Sequence, residues 1–436
     1  MRTVILSSVV TSGVTQKVLR TLAEGRRRVT RRPHEVLYFH QVDDPYSHLV
    51  ATHLSQLAQL YDVRWVPLLV GPPPDWAAPD RERLVGFSRR DAQDIAGRYK
   101  ARFVDPLKQP PASMVEMANR ALAKVKDDPE AFMALAPQVG EALWGGDEAV
   151  LRRLALDSPP VTLAREWMAD NAQRREKLGH YLGATFYYGS EWYWGLDRLH
   201  YLEQRLHDMG LWRGVGAWAP IVSPPVESDK VSQAPPGSKL EFFFSLRSPY
   251  SYLALARTFA LARRRGVELV PRPVLPMVMR GLQVPFAKRI YIVRDTAREA
   301  KRQGIPFGRI ADPVGTGIER GLAVAHLAQQ RGVLEPFFIN MARGVMAEGR
   351  DITRDKTLAS MAQHAGMDWS DAQKALGDDA WRQEADANRQ ALLELGLWGV
   401  PSFRFGQTST WGQDRLWLIE DAIEAATEAH RATSVE

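Results

Sequence analysis

One stretch of this chain occurs twice, and that repetition limits the possible folds more than any other feature. Phe242-Phe243-Phe244-Ser245-Leu246-Arg247-Ser248-Pro249-Tyr250-Ser251-Tyr252-Leu253 is matched, 204 positions earlier, by Tyr38-Phe39-His40-Gln41-Val42-Asp43-Asp44-Pro45-Tyr46-Ser47-His48-Leu49. The same offset carries Val63, Val66 and Pro67 onto Val267, Val270 and Pro271. Further on, Gly189 and Trp194-Gly195-Leu196-Asp197-Arg198-Leu199 meet Gly406 and Trp411-Gly412-Gln413-Asp414-Arg415-Leu416 at an offset of 217. Matches at both ends, with a net difference of 13 residues between them, predict a tandem repeat of one domain. A chain of 436 residues is also too long for one ordinary core.

Each copy reads as α/β. Three phenylalanines after Lys239-Leu240-Glu241 predict a short buried strand. Ser248-Pro249 predicts a helix start, with serine as N-cap and proline at the first helical position. Leu253, Leu255, Ala256 and Phe259 continue that helix, Arg263-Arg264-Arg265-Gly266 ends it, and Val267-Glu268-Leu269-Val270 comes next as a second strand. The Ser248 hydroxyl therefore stands at a strand-to-helix corner, where backbone N–H groups favour an anion. Helical insertions are expected over 79–179 and 276–397, and each half should close on a helix, 198–209 and 415–430. Pro220, Pro224, Pro225, Pro235, Pro236 and Gly237 mark a linker. The expected layout is a basic leader 1–33, a first domain 34–213, a linker 214–238 and a second domain 239–436.

Composition settles two questions. There is no cysteine, so disulfides, thiolate metal sites and dithiol exchange by the chain's own residues are excluded. The net charge of +6 is unevenly spread. Residues 1–32 hold eight basic residues against Glu24 alone, a net of +7, and the rest of the chain therefore sums to −1. The globular part is near neutral, which argues against a nucleic-acid face. The leader reads as a docking helix or solvated arm, with targeting or membrane-surface association as alternatives. No apolar run is long enough to span a membrane.

The corner and the segments after it resemble the 2-hydroxychromene-2-carboxylate isomerase and kappa-class glutathione transferase family. The likeness rests on Ser248-Pro249-Tyr250-Ser251-Tyr252-Leu253, Arg272-Pro273, Pro285 with Lys288 and Tyr291, and Gly304-Ile305-Pro306. It continues through Gly399-Val400-Pro401-Ser402-Phe403 and Trp411-Gly412-Gln413-Asp414-Arg415-Leu416, and so covers about 239–430. Ser245 stands where that family usually has aspartate. The resemblance implies a DsbA-like thioredoxin fold in which serine replaces the redox cysteine, here in tandem. It implies that Ser248 donates to the sulfur of glutathione, the co-substrate, and favours its thiolate. It also implies a cis bond before Pro401, with the Val400 backbone pairing with glutathione as with an extended peptide. Asp414 would meet the γ-glutamyl amino group, and Lys288 the other end or a substrate carboxylate.

Each of these residues has a structural reading as well. Ser248 is an excellent helix cap, Asp414 suits a helix N-cap, and Lys288 suits a solvated charge. In the first half, His40, Asp43, Asp44 and His48 are close in sequence but match no standard metal spacing, and Asp44-Pro45 is itself a helix-start pair. The aromatic run Phe186-Tyr187-Tyr188 and Trp192-Tyr193-Trp194 reads as core and interface, with a stacking platform as the alternative. The expectation is a glutathione-dependent isomerase or transferase for hydrophobic, aromatic substrates, cytoplasmic, with no metal. The alternatives are a non-catalytic thioredoxin-fold scaffold and a DsbA-family oxidoreductase relative that has lost its cysteines. Only the second half should be active. Asp44 stands for Ser248, and Leu182-Gly183-Ala184-Thr185-Phe186 stands for the Pro401 loop. Fusion of two copies would make an intrachain pseudo-dimer.

Overall fold

The computed structural model describes residues 2–226 and 232–433; residues 227–231 of the predicted linker lie outside them. The chain is mixed α/β with two four-stranded sheets, and it divides into two compact units, Lys17–Pro224 and Met1–Gln16 with Pro225–Glu436.

In the first unit the sheet comprises β1 (Glu35–His40), β2 (Arg64–Leu69), β3 (Thr185–Tyr188) and β4 (Glu191–Trp194), in the order β2-β1-β3-β4. In the other it comprises β5 (Lys239–Phe244), β6 (Glu268–Pro273), β7 (Ser402–Phe405) and β8 (Thr408–Trp411), in the order β6-β5-β7-β8. The first two strands of each sheet are parallel and the rest antiparallel. A central strand covered on both faces is mostly apolar, and Leu240, Phe242, Phe243 and Phe244 are all buried. Phe242 stacks on Phe403 with ring centroids 5.2 Å apart, and Phe244 meets Phe338 edge-on at 4.9 Å. Glu241 lies on the opposite face, paired with Arg272 at 2.6 Å and with Arg404.

The registers of the two sheets coincide at constant offsets. Glu35 pairs with Arg64 and Lys239 with Glu268, all 204 apart; Thr185 pairs with Trp194 and Ser402 with Trp411, all 217 apart. Side-chain bonds follow the same rule. Tyr46 donates to Asp91 and Tyr250 to Asp295, both at 2.8 Å. Asn171 donates to the Leu69 carbonyl at 3.0 Å and Asn388 to that of Pro273 at 3.1 Å. The offset is still 204 at Asp91 and is already 217 at Asn171. The 13 extra residues of the second half therefore lie within its helical insertion, between the helices Phe286–Arg302 and Ala380–Glu394.

The basic segment 1–33 forms two helices, α1 (Arg2–Thr11) and α2 (Gly13–Val29). α1 packs on the helix Phe286–Arg302 of its own unit, with the Ile310 N–H donating to Ser7 Oγ at 3.0 Å. α2 is tied to β4 by a two-pronged pair from Arg20 to Glu191, at 2.8 and 2.9 Å. The linker contains neither helix nor strand among its described residues, apart from an isolated bridge between Trp212 and Tyr61 just before it.

Candidate functional site

The site begins where β5 ends. The N–H of Ser245 donates to Ser251 Oγ at 3.3 Å, which folds the chain back onto the first turn of the helix Pro249–Arg265. Ser248 is the N-cap: its backbone is extended, Pro249 follows in the first turn, and its Oγ accepts from the Ser251 N–H at 3.2 Å. The hydroxyl donates to the Val400 carbonyl of the facing loop at 3.4 Å. That distance is long for an O–H···O bond, so the proton is weakly held there.

The facing loop is pinned on both sides. The Val400–Pro401 peptide is cis. The Pro401 carbonyl accepts from the Gly412 N–H at 2.9 Å, and Ser402 Oγ donates to the Gly399 carbonyl at 2.9 Å. The ring of Trp411 sits against Gly399 so closely that a Cβ would have no room.

Asp414 lies in the turn Gln413–Arg415, two residues beyond the Gly412 that holds Pro401. Its carboxylate accepts from the Gln413 carboxamide. Gln413 is buried and accepts from Arg257 at 2.7 Å and from Gln303 at 3.0 Å. Its carboxamide N–H₂ also reaches Glu299 at 3.3 Å. The Asp414 turn is thereby bound to the helices Pro249–Arg265 and Phe286–Arg302 at once. Lys288 stands in the first turn of Phe286–Arg302, and burial lowers its pKa. Seven residues further along that helix, or about 10 Å, Asp295 holds the Tyr250 hydroxyl.

The structure therefore brings Ser248, Val400 and Pro401 together directly. Asp414 joins them through Gly412, and Lys288 stands on the helix that Tyr250 pins to the corner. Three supports escaped the sequence reading: the Tyr250–Asp295 bond, the Gln413 cluster, and the Arg247–Asp312 pair with both bonds at 2.7 Å. The first had a signal, because Tyr46 and Asp91 repeat Tyr250 and Asp295 at the offset of 204.

The equivalent corner of the first half is built differently. Asp44 caps α3 (Pro45–Ala51), accepting from the Ser47 N–H at 3.0 Å and the Ser47 hydroxyl at 2.8 Å. Burial raises its pKa to about 6 against the pull of those donors. The facing loop presses on this corner. A Cβ on Gly183 would come 2.8 Å from Gln41 Cβ and 3.3 Å from an Asp44 carboxylate oxygen. Ala184 is fully buried with φ +53, a left-handed conformation that costs a non-glycine residue about 1–2 kcal/mol. Nearby, His40 is buried beside the Tyr38 hydroxyl at 2.9 Å, and burial lowers its pKa to about 3.

A small recess in the second half's helical insertion is lined by Leu322, His326, Trp381 and Glu384 among others, and it shares no residue with the Ser248 corner. Among the described residues no group of three or more His, Asp or Glu is placed to hold a metal.

Residues 239–424 match the family described as a DSBA-like thioredoxin domain, so the C-terminal half carries that domain. Over 196 residues the chain is 26% identical to 2-hydroxychromene-2-carboxylate isomerase of Pseudomonas sp. (strain C18), covering 43% of this chain and 91% of that protein. It is 24% identical over 192 residues to the protein of the same name from Sphingobium xenophagum, covering 42% and 97%. Among solved structures, a 2-hydroxychromene-2-carboxylate isomerase superposes with a TM-score of 0.37 at 24% identity, over 45% of this chain and 99% of that one. A probable DsbA oxidoreductase from Streptomyces coelicolor gives 0.36 at 24% identity, over 43% and 89%.

Proposed function

We propose that the C-terminal half is a glutathione-dependent isomerase or transferase for hydrophobic, aromatic substrates, with Ser248 stabilising the thiolate. One observation carries the reading. At the corner of a DSBA-like domain, in a chain without cysteine, the Ser248 hydroxyl donates to the Val400 carbonyl with a long bond it can exchange for a better acceptor. The name of the matched relatives, 2-hydroxychromene-2-carboxylate isomerase, supports the isomerase form.

The donor set suits a γ-glutamyl tripeptide. The Val400 backbone would pair with the extended peptide, the Asp414 carboxylate suits an ammonium group, and the partly desolvated Lys288 suits a carboxylate. Bound glutathione would supply a nucleophilic sulfur. Ser248 would donate its proton to that sulfur, and the N-terminal end of the helix Pro249–Arg265 would add its partial positive charge. Both lower the pKa of the thiol and raise the thiolate fraction near neutral pH. In an isomerase the thiolate adds to a conjugated double bond, the resulting single bond rotates, and elimination returns the thiolate unchanged. In a transferase the adduct is released.

The coincident registers and hydrogen bonds support a further element of the proposal, that both halves are thioredoxin-like copies and the first has lost the chemistry. Above pH 6 the Asp44 carboxylate is ionised. At about 4 Å it would repel a thiolate by roughly 4 kcal/mol at an effective dielectric of 20. The packing of Gly183 on Gln41 also closes the corresponding edge. One chain would then be the equivalent of a pair of domains with a single working site.

The test is glutathione-dependent turnover of an aromatic chromene carboxylate by the parent and by Ser248→Ala. Loss of most turnover in a folded variant supports the role. Undiminished turnover leaves Ser248 as a helix cap alone.

A further inference from the structure

α2 displays its amphipathic character to solvent, the reverse of a helix packed on a core. None of its residues is buried. Val14, Val18, Leu22 and Val29 are 73%, 50%, 64% and 85% exposed. At 3.6 residues per turn these four fall within about 80° of one another on the helix surface. Lys17 and Arg28 flank the stripe on one side and Arg26 on the other. Arg20, on the opposite face, is the residue that ties α2 to Glu191. Arg28 is paired with Glu24, whereas Lys17, Arg26, Arg31 and Arg32 make no ion pair among the described residues. α1 likewise exposes Ile5, Leu6 and Val9.

An apolar stripe between unpaired cations selects its occupant. A second copy of the chain would bring like charges together along the seam, and nucleic acid would leave the stripe wet. An anionic bilayer surface satisfies both parts of the pattern, with apolar side chains at the headgroup boundary and cations against the phosphates. We propose that α2 is a surface anchor that docks this protein flat on anionic lipid. It does not cross the bilayer, and no helix among the described residues is long and apolar enough to do so. The inference is independent of the catalytic reading.

The test is flotation of the full chain with phosphatidylcholine vesicles, with and without one third phosphatidylglycerol. Binding is expected to the anionic vesicles only and should weaken as salt shortens the screening length. Val18→Asn with Leu22→Asn should reduce partitioning at least about tenfold. Replacing Lys17, Arg26, Arg31 and Arg32 by Gln should reduce it about a hundredfold or more. These substitutions touch no buried residue, and unchanged circular dichroism of each variant checks the fold. Failure to float with anionic vesicles, equal flotation with neutral ones, or undiminished binding by the Asn pair would each overturn the proposal. A dimer in light scattering that the Asn pair dissolves would assign the stripe to a second copy and overturn it equally.

Discussion

Replacing Asp44 by Asn should make the first half more stable at neutral pH and should flatten its response to acid. Asp44 is held where Ser248 stands in the other half, and burial lifts its pKa from 3.8 to about 6. Between those two values the folded chain keeps a proton that the unfolded chain has released. Stability from this group is therefore fully present at the acid end and is lost as pH rises through the window. The window spans about two units, which at 1.36 kcal/mol per unit amounts to about 3 kcal/mol. Asn retains a side-chain oxygen for the Ser47 N–H and remains a good N-cap, but it cannot ionise. Hydrogen exchange in peptides spanning β1 and α3, compared between parent and variant at the same pH, measures the difference directly. Intrinsic exchange rates largely cancel in that comparison. So do Glu203, raised by burial to about 7, and His40 and His180, lowered to about 3, because both chains contain them. The difference should shift in favour of the variant by about 3 kcal/mol between about pH 4 and about pH 7.5. A difference that stays constant with pH would rule this linkage out.

Ser248→Ala should cost about 1 kcal/mol of stability through the lost cap, small beside its loss of glutathione-dependent kcat/KM; chemical denaturation and initial rates separate the two. Tyr250→Phe removes the 2.8 Å hydrogen bond to the Asp295 carboxylate and should destabilise the second half by about 1.5–3 kcal/mol in urea unfolding. Gly183→Val should destabilise the first half by about 1–3 kcal/mol, because its Cβ meets Gln41 at 2.8 Å. Glutathione-dependent turnover should survive that last change, as measured by initial rates.

The features legible in the sequence were local or repeated. The Phe242–Phe244 run predicted a buried strand because a central strand covered on both faces turns apolar side chains to each. Ser248-Pro249 and Asp44-Pro45 predicted two helix starts from chemistry contained in two residues each, and both side chains accept backbone N–H bonds as caps. The offsets of 204 and 217 placed both ends of each sheet in register before any strand was seen to pair. The features that escaped were held by partners far apart in the chain. Gln413 gathers Arg257, Gln303 and Glu299 from two helices more than a hundred positions earlier, and nothing local marks a glutamine for that role. A docking helix was expected in the leader, but its partner was hidden in the same way, since Ser7 accepts its bond from Ile310. The backbone of Ala184 was not legible either. An alanine in place of proline announces no left-handed conformation; the closeness of Gly183 to Gln41 and Asp44 shows how tightly that loop is packed.

The proposed chemistry stands or falls on Ser248 holding the sulfur of glutathione as a thiolate, in the second half alone. The deciding experiment is the ultraviolet absorbance of the thiolate as glutathione bound to the full chain is titrated with pH, in the parent and in Ser248→Ala. One bound thiol per chain is expected, ionising well below the value of free glutathione in the parent and returning towards it in the variant. Two equivalent thiols per chain, a bound thiol that ionises at the free value, or a lowered value that survives Ser248→Ala would contradict this role.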